Sequence, residues 1–427
     1  MKSFYLKPKF FESIKSYNKS QFAKDVVAGI IVAIIALPLS IALAIASGVN
    51  PEQGIYTAIF AGFIVALMGG SKVQIAGPTA AFATVVAGIA LSENGTIKLI
   101  VATLMAGIIL ILMGVLKLGS LIKYVPKTIT VGFTAGIAVT IFLGQIKDFL
   151  GIAYPSGTKA IEVFHKMEAN VHNIASFDWQ SLVIGIISLA ILVVYPKFEK
   201  RVPPSLIAVV VSVLLVAFIP VFKTNVSTIG TAFENIPSGF PKFVLGNISI
   251  SKSEIIALIP NAFAIAFLAG IESLLSCVVA DGMIDDKHNP NAELVAQGLG
   301  NMASVAFGGI PATGAIARTA ANIKNGGKSA VSGMVHSIVL LLVVLFLMPY
   351  AKLIPMPAIA AILFMVAYNM SEWRRFVKIV KTKNFTDILI MVLTFVLTVA
   401  KDLVVAIVVG LALHFIIVVI KKIGKKA

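Results

Sequence analysis

Long apolar stretches, broken only by short polar or Gly- and Pro-bearing interruptions, run along nearly the whole chain. About 20 apolar residues in helical form cross the hydrocarbon of a bilayer, so the pattern predicts membrane-spanning helices. Fourteen segments are delimited in this way: 25–47, 52–69, 78–91, 98–116, 126–146, 180–195, 204–221, 255–280, 292–307, 312–322, 330–349, 353–370, 384–400 and 402–420. The third and tenth are too short to span alone and are expected to be half-helices supported by neighbouring protein. The predicted class is an all-α polytopic membrane protein.

The two short segments carry the most informative pattern. One begins in Gln74-Ile75-Ala76-Gly77-Pro78-Thr79-Ala80-Ala81, the other in Gly308-Gly309-Ile310-Pro311-Ala312-Thr313-Gly314-Ala315-Ile316-Ala317-Arg318-Thr319. Gly and Pro stand in each where a membrane helix should be continuous, so each is expected to open a helix whose first N–H groups lack intrahelical partners. Such ends attract anions. Pro78 and Pro311 fall at corresponding places in the two halves, the sequence pointer to a transport site at the membrane midplane.

Seven segments per half is an odd number, so the second unit must enter the membrane from the opposite side and the predicted repeat is inverted. The expected organisation is an N-terminal segment 1–24, a first repeat 25–221, an external connecting loop 222–253, a second repeat 254–420 and a basic tail 421–427. The longer external stretches, about 147–179 and 222–253, are expected to hold short structured pieces.

Composition agrees: 58% of residues are hydrophobic and 13% charged, against about 45–50% apolar in soluble domains. The net charge of +16 raises the question of nucleic acid, but most basic residues fall on segments that share one membrane side if the N-terminus is cytoplasmic. The positive-inside rule then predicts a multi-pass inner (plasma) membrane protein with both termini cytoplasmic, the lipid bilayer as its surroundings, and no nucleic-acid partner. Residues 1–24 lack the features of a cleavable signal. Cys277 is the single cysteine, which excludes an internal disulfide. The five histidines show no ligand spacing, so no metal site and no cofactor are expected beyond a coupling ion. Asn325-Gly326-Gly327-Lys328-Ser329 lacks the first Gly of a phosphate loop, because position 322 is Asn.

Ionisable residues inside spans cost at least ~2.5–3.5 kcal/mol each and are functional candidates. Glu272 is the one acid near the centre of a long segment; Asp25, Asp281, Asp285, Asp286, Glu293 and Asp402 fall at ends or loops. Ser276, four residues on, shares its helix face and can share a cation or a proton-linked hydrogen bond with it. The alternative is a strut in which Glu272 pairs permanently with Arg318. Arg318 is expected to act on an anion indirectly through its charge, with Thr79 and Ala80 at the first half-helix tip better placed for contact. Pro38, in Leu37-Pro38-Leu39-Ser40-Ile41-Ala42-Leu43, is either a kink around the site or an ordinary membrane proline. No nucleophile, metal cluster or acid pair supports an enzyme.

Taken together, Asp25-Val26-Val27-Ala28-Gly29 followed by Leu37-Pro38, Gly69-Gly70-Ser71 through Gln74 to Pro78-Thr79, the run Glu272-Ser273-Leu274-Leu275, and Asn301 through Gly308-Gly309-Ile310-Pro311 to Arg318-Thr319 resemble the SulP anion permeases, the solute carrier 26 family. The resemblance implies fourteen segments in two inverted sevens, a core domain (about 25–116 and 254–349) and a gate domain (about 120–221 and 353–420). It also implies elevator-like movement of core against gate and a homodimer. The anion, bicarbonate, sulfate or a dicarboxylate, would sit between Thr79–Ala80 and Ala315, Ile316, Ala317 and Arg318, with Leu43 at its side. The coupling site would comprise Glu272, Ser276 and Gly314, with Ile316 added if the ion is sodium. In members that couple to sodium the position of Glu272 is typically Asp, so Glu here leans toward a proton without excluding sodium. A STAS domain is expected to be absent, which leaves the dimer contact open. Proton or sodium symport and anion exchange all remain open, with a nucleobase transporter of the same architecture and an uncoupled anion channel as alternatives.

Overall fold

The computed structural model describes residues 6–120, 126–155, 163–199, 202–233, 236–382, 384–401 and 403–423. The predicted basic tail lies outside the described residues from 424 on, as do residues 1–5 of the N-terminal segment. The chain is mostly helical. In order come α1 (Lys19–Ala46), α2 (Pro51–Met68), β1 (Ala76–Gly77), a one-turn 3-10 helix (Ala80–Phe82) running into α3 (Ala83–Ala90), and α4 (Gly95–Val115). Next are α5 (Lys127–Gly144), α6 (Trp179–Val194), α7 (Pro204–Phe218), α8 (Ile259–Ile284), α9 (Pro290–Ala306), β2 (Thr313–Gly314) and α10 (Ile316–Lys324). The last are α11 (Ala330–Phe346), α12 (Met356–Met370), α13 (Phe385–Ala400) and α14 (Leu403–Ile423).

Local chemistry marks the starts of these helices. Asn18 caps α1 by accepting from the Gln21 N–H, Asp178 caps α6 through Gln180 and Ser181, and Asn289 followed by Pro290 opens α9. At α2, Asn50 and Gln53 cap each other reciprocally ahead of the Pro51 turn. Among the described residues, six helices are long and apolar enough to cross a membrane by length and composition: 19–46, 51–68, 95–115, 127–150, 179–197 and 259–284. Large apolar side chains such as Leu112, Ile186, Phe346 and Phe415 are half or more exposed, the surface a bilayer would cover. In and next to the stretches 147–179 and 222–253 lie the short helices Val163–His172, Ile229–Ala232 and Lys252–Ala257, and a bridge joins Thr228 to Pro355.

Two helix groups are visible in the packing. In one, α9 lies against α4 and α2, α11 against α2 and α1, and α8 against α4; in the other, α13 lies against α5 and α14, and α12 against α6 and α5. The first group encloses the β1–β2 junction. Asp25, at the start of α1, is fully buried and accepts from the Tyr17 hydroxyl (2.8 Å), the Lys328 N–H (2.8 Å) and the Ser329 hydroxyl, which fastens α1 to the start of α11.

Candidate functional site

The two interrupted segments meet. β1 pairs antiparallel with β2, Ala76 opposite Gly314 and Gly77 opposite Thr313. Because each strand leads directly into a helix, α3 and α10 leave this junction in opposite directions with their N-terminal ends beside it. The first helical bonds are Phe82 N–H to Thr79 O (3.2 Å) on one side and Thr319 N–H to Ala315 O (2.8 Å) on the other. The N–H groups of Ala80 and Ala81, and of Ile316, Ala317 and Arg318, therefore precede the first intrahelical bond of their helices. Both tips carry positive partial charge.

Side chains from α10 hold the junction. Arg318 is 2% exposed; its Nη2 donates to the Pro78 carbonyl, while Nη1 is buried with no partner. The Thr319 hydroxyl accepts from the Ile75 N–H (3.0 Å) and Asn322 Nδ2 donates to the Val73 carbonyl (2.9 Å). Glycine is required at two points by close approach: a Cβ on Gly77 would stand 2.5 Å from Arg318 Nη1, and one on Gly314 would collide with Gln74 Nε2.

The Glu272 Oε2 accepts from the Thr79 hydroxyl at 2.9 Å, which brings the carboxylate to the α3 tip. Among the described residues no ion pair within 4.0 Å joins Glu272 to Arg318, so the strut geometry is not present. Ser276 shares the helix face as expected but is engaged elsewhere, donating to Gln74 Oε1 (2.8 Å) and lying 3.3 Å from the Thr319 hydroxyl. The Gly314 N–H donates to Ser273 Oγ (2.9 Å), and its carbonyl accepts from the Thr313 hydroxyl (3.0 Å). Leu43, Ala80 and Ala315 are buried, at 2%, 8% and 7% exposure, whereas Ile316 (42%) and Ala317 are exposed. The structure thus brings Thr79, Ala80, Glu272, Ala315 and Arg318 to one junction and turns the side chains of Ile316 and Ala317 outward, leaving only their backbone toward the tip.

Sequence reasoning missed the hub beneath the tips. Gln74 donates to the Ser273 carbonyl (3.1 Å) and to Glu293 Oε1 (3.4 Å) while accepting from Ser276. Glu293, read as an acid at an end, is in the first turn of α9 but fully buried, accepting from the Gly70 N–H (2.9 Å) and Gln297 Nε2 (2.9 Å). Asn301 completes the row by gripping both the Ala312 N–H and carbonyl, each at 2.9 Å. The available signal was spacing: Glu293, Gln297 and Asn301 recur every fourth residue, a polar stripe on one face of an apolar segment. His336 is also fully buried, with neither ring nitrogen partnered, and Cys277 is a buried free thiol. Among the described residues no group of three His, Cys, Asp or Glu side chains is placed to hold a metal.

Residues 22–394 match the model of the sulfate permease family. The chain is 46% identical over 409 residues to the putative sulfate transporter YvdB of Bacillus subtilis (strain 168), covering 96% of this chain and 76% of that protein. It is 36% identical over 404 residues to the bicarbonate transporter BicA of Picosynechococcus sp., covering 92% of this chain and 70% of that one. Among solved structures, the transmembrane domain of a cyanobacterial bicarbonate transporter BicA superposes with a TM-score of 0.80 at 30% identity, over 91% of this chain and 98% of that domain.

Proposed function

The chain belongs to the sulfate permease family, whose members are transporters and not enzymes, and on that premise we propose that it carries a small anion across a membrane at the β1–β2 junction. The substrate is sulfate, bicarbonate or a dicarboxylate. The observation that carries the reading is the convergence of two helix N-termini around a buried arginine with an unpartnered Nη1. Hydrogen bonds to a charged group contribute roughly 1.5–3 kcal/mol each. A few free N–H groups therefore reach about 4–8 kcal/mol, millimolar to micromolar affinity, which permits release. One Arg318 nitrogen is committed to Pro78, so the guanidinium acts mainly as fixed positive charge and positions the two tips, while Thr79, Ala80, Ala315 and the backbone of 316–318 make the contacts.

Glu272 is the coupling group in this reading. A carboxylate one hydroxyl away from the Thr79 tip repels an incoming anion, and neutralising it favours binding. The Ser276 oxygen, which donates its hydrogen to Gln74, and the Gly314 carbonyl, which accepts one bond from Thr313, each keep a lone pair for a cation, so these bonds do not choose between sodium and a proton. The reading takes a proton, which Glu272 can accept at the α3 tip with no further ligand. Glu272→Gln is expected to abolish gradient-driven accumulation while anion binding is retained, and normal accumulation by this variant would make Glu272 structural only.

The two packing groups support a wider mechanism. We take α1–α4 and α8–α11 as a core that moves, elevator-like, against a gate of α5–α7 and α12–α14. The whole is fourteen segments in two inverted sevens, a homodimer in the inner membrane with cytoplasmic termini. The test is purified protein in liposomes offered labelled bicarbonate, sulfate, fumarate and uracil in turn under imposed proton or sodium gradients. Uptake of an anion driven by a proton gradient is expected; uptake of uracil alone would replace this reading with nucleobase transport.

A further inference from the structure

A cavity of about 420 Å³ opens beside the α3 tip, and none of the candidate site residues named above lines it. Its floor is Ala83 and Thr84, one helical turn beyond Ala80, and its walls include Thr140, Gln145, Lys166 and Lys401. These come from the C-terminal ends of α5 and α13 and from the helix Val163–His172, so the cavity lies between α3 and the second packing group, at the end of the molecule toward which α3 runs. Phe164, also on its wall, is 57% exposed and marks the opening to the surface. In the topology proposed above this is the outer mouth.

We propose that this cavity is a capture subsite for small oxyanions, in which Lys166 and Lys401 draw the anion in from outside and Gln145 and Thr84 pass it to the Thr79–Ala80 tip. The proposal rests on the anion-transport reading and adds the route of entry. Three observations support it. Among the described residues neither lysine makes an ion pair within 4.0 Å, so both ammonium groups are available to a solute. Lys166 Nζ lies 3.4 Å from where a Cβ on Gly144 would stand, and Gly144 itself lines the cavity, which puts the charge at its wall. Gln145 is 6% exposed and its Oε1 has no partner, an end that meets an anion only with the amide turned to present its NH2, whereas the Thr84 hydroxyl, also buried and unpartnered, can donate as it stands. A hydroxyl can turn its hydrogen to an anion, and an amide can present its NH2. Burial lowers the Lys166 pKa from its ordinary value, and the nearby Asp148 carboxyl opposes this by favouring the charged ammonium.

Like-signed walls around a low-dielectric cleft raise the local concentration of an oppositely charged solute by tenfold or more, an effect that salt screens. The test is initial uptake of labelled sulfate and of labelled bicarbonate by cells expressing the full chain, at varied external concentration and ionic strength, for Lys166→Gln, Lys401→Gln and the double variant. The double variant is expected to raise KM about tenfold at low salt with maximal rate within about twofold, to flatten the salt dependence, and to recover with Lys166→Arg plus Lys401→Arg. Unchanged KM and salt dependence in the double variant, with wild type active, would overturn the subsite and leave the transport reading standing. A loss of maximal rate that arginine does not restore would assign the lysines to structure and also overturn it. Wild type that takes up neither anion would remove the transport reading and this subsite with it.

Discussion

The two half-helices that meet at the junction are built differently. α3 reads Ala-Thr-Val-Val-Ala-Gly-Ile-Ala, and what its tip offers is backbone N–H groups and the Thr79 hydroxyl. α10 reads Ile-Ala-Arg-Thr-Ala-Ala-Asn-Ile-Lys, and Arg318, Thr319 and Asn322 on its buried face reach across to Pro78, Ile75 and Val73. One half therefore organises and the other is organised. A site that must hold a charge in a membrane interior and still release it gains from this division. The structural bonds are made by side chains on one side, while in the proposed function the contacts to the solute fall to the Thr79 hydroxyl and to backbone groups that precede the first helical bonds.

The sharpest way to break this contrast is Arg318→Gln, which removes the buried charge and its tie to Pro78 together. Sulfate affinity measured by calorimetry in detergent is expected to fall by about 3 kcal/mol, roughly a hundredfold. Unchanged affinity would take Arg318 out of the site. Ala80→Leu tests the passive half by filling its tip: affinity is expected to drop about tenfold or more, near 1.4 kcal/mol, while the protein still assembles. A matched pair then compares the halves directly. Thr319→Val strands the buried Ile75 N–H and is expected to cost about 1–3 kcal/mol of stability, whereas Thr84→Val on α3 removes a hydroxyl with no partner and is expected to be neutral. Equal melting shifts for the two would erase the distinction.

The smallest effect lies away from the tips. Burial opposes ionisation of Asp286, yet Lys72 at 2.9 Å, the Lys287 N–H and the charge of Lys9 hold its carboxyl below the usual range. A depressed carboxyl stabilises the fold above its unfolded pKa, and that contribution is lost as pH falls through the folded value. Asp286→Asn is accordingly expected to lower stability at pH 7 by no more than about 1 kcal/mol and to match wild type in acid, as read from melting curves at both pH values.

Gly and Pro made the junction legible in the sequence because they stand close together in both short segments; singly they do not break a helix, and Pro38 lies inside the continuous α1. Glu272 and Arg318 were legible for a similar reason: charge inside an apolar run is conspicuous. Gln74 is not legible as a site residue, since a neutral amide carries no such mark and its value lies in partners about 200 residues away, Ser273, Ser276 and Glu293. Glu293 does lie at a segment end, as expected, but position near an end says nothing about burial, which α2 and α4 packing on α9 decides. Helical spacing places Ser276 on the face of Glu272 but does not fix its rotamer, and the hydroxyl donates to Gln74.

The central claim is that two opposed helix tips hold one anion between them. Selenate, a scattering stand-in for sulfate, can be located by anomalous diffraction from crystals of the purified protein. The account predicts a single peak between Thr79–Ala80 and Ala315–Arg318, and selenate bound only elsewhere, with that space unoccupied at saturating concentration, would contradict it.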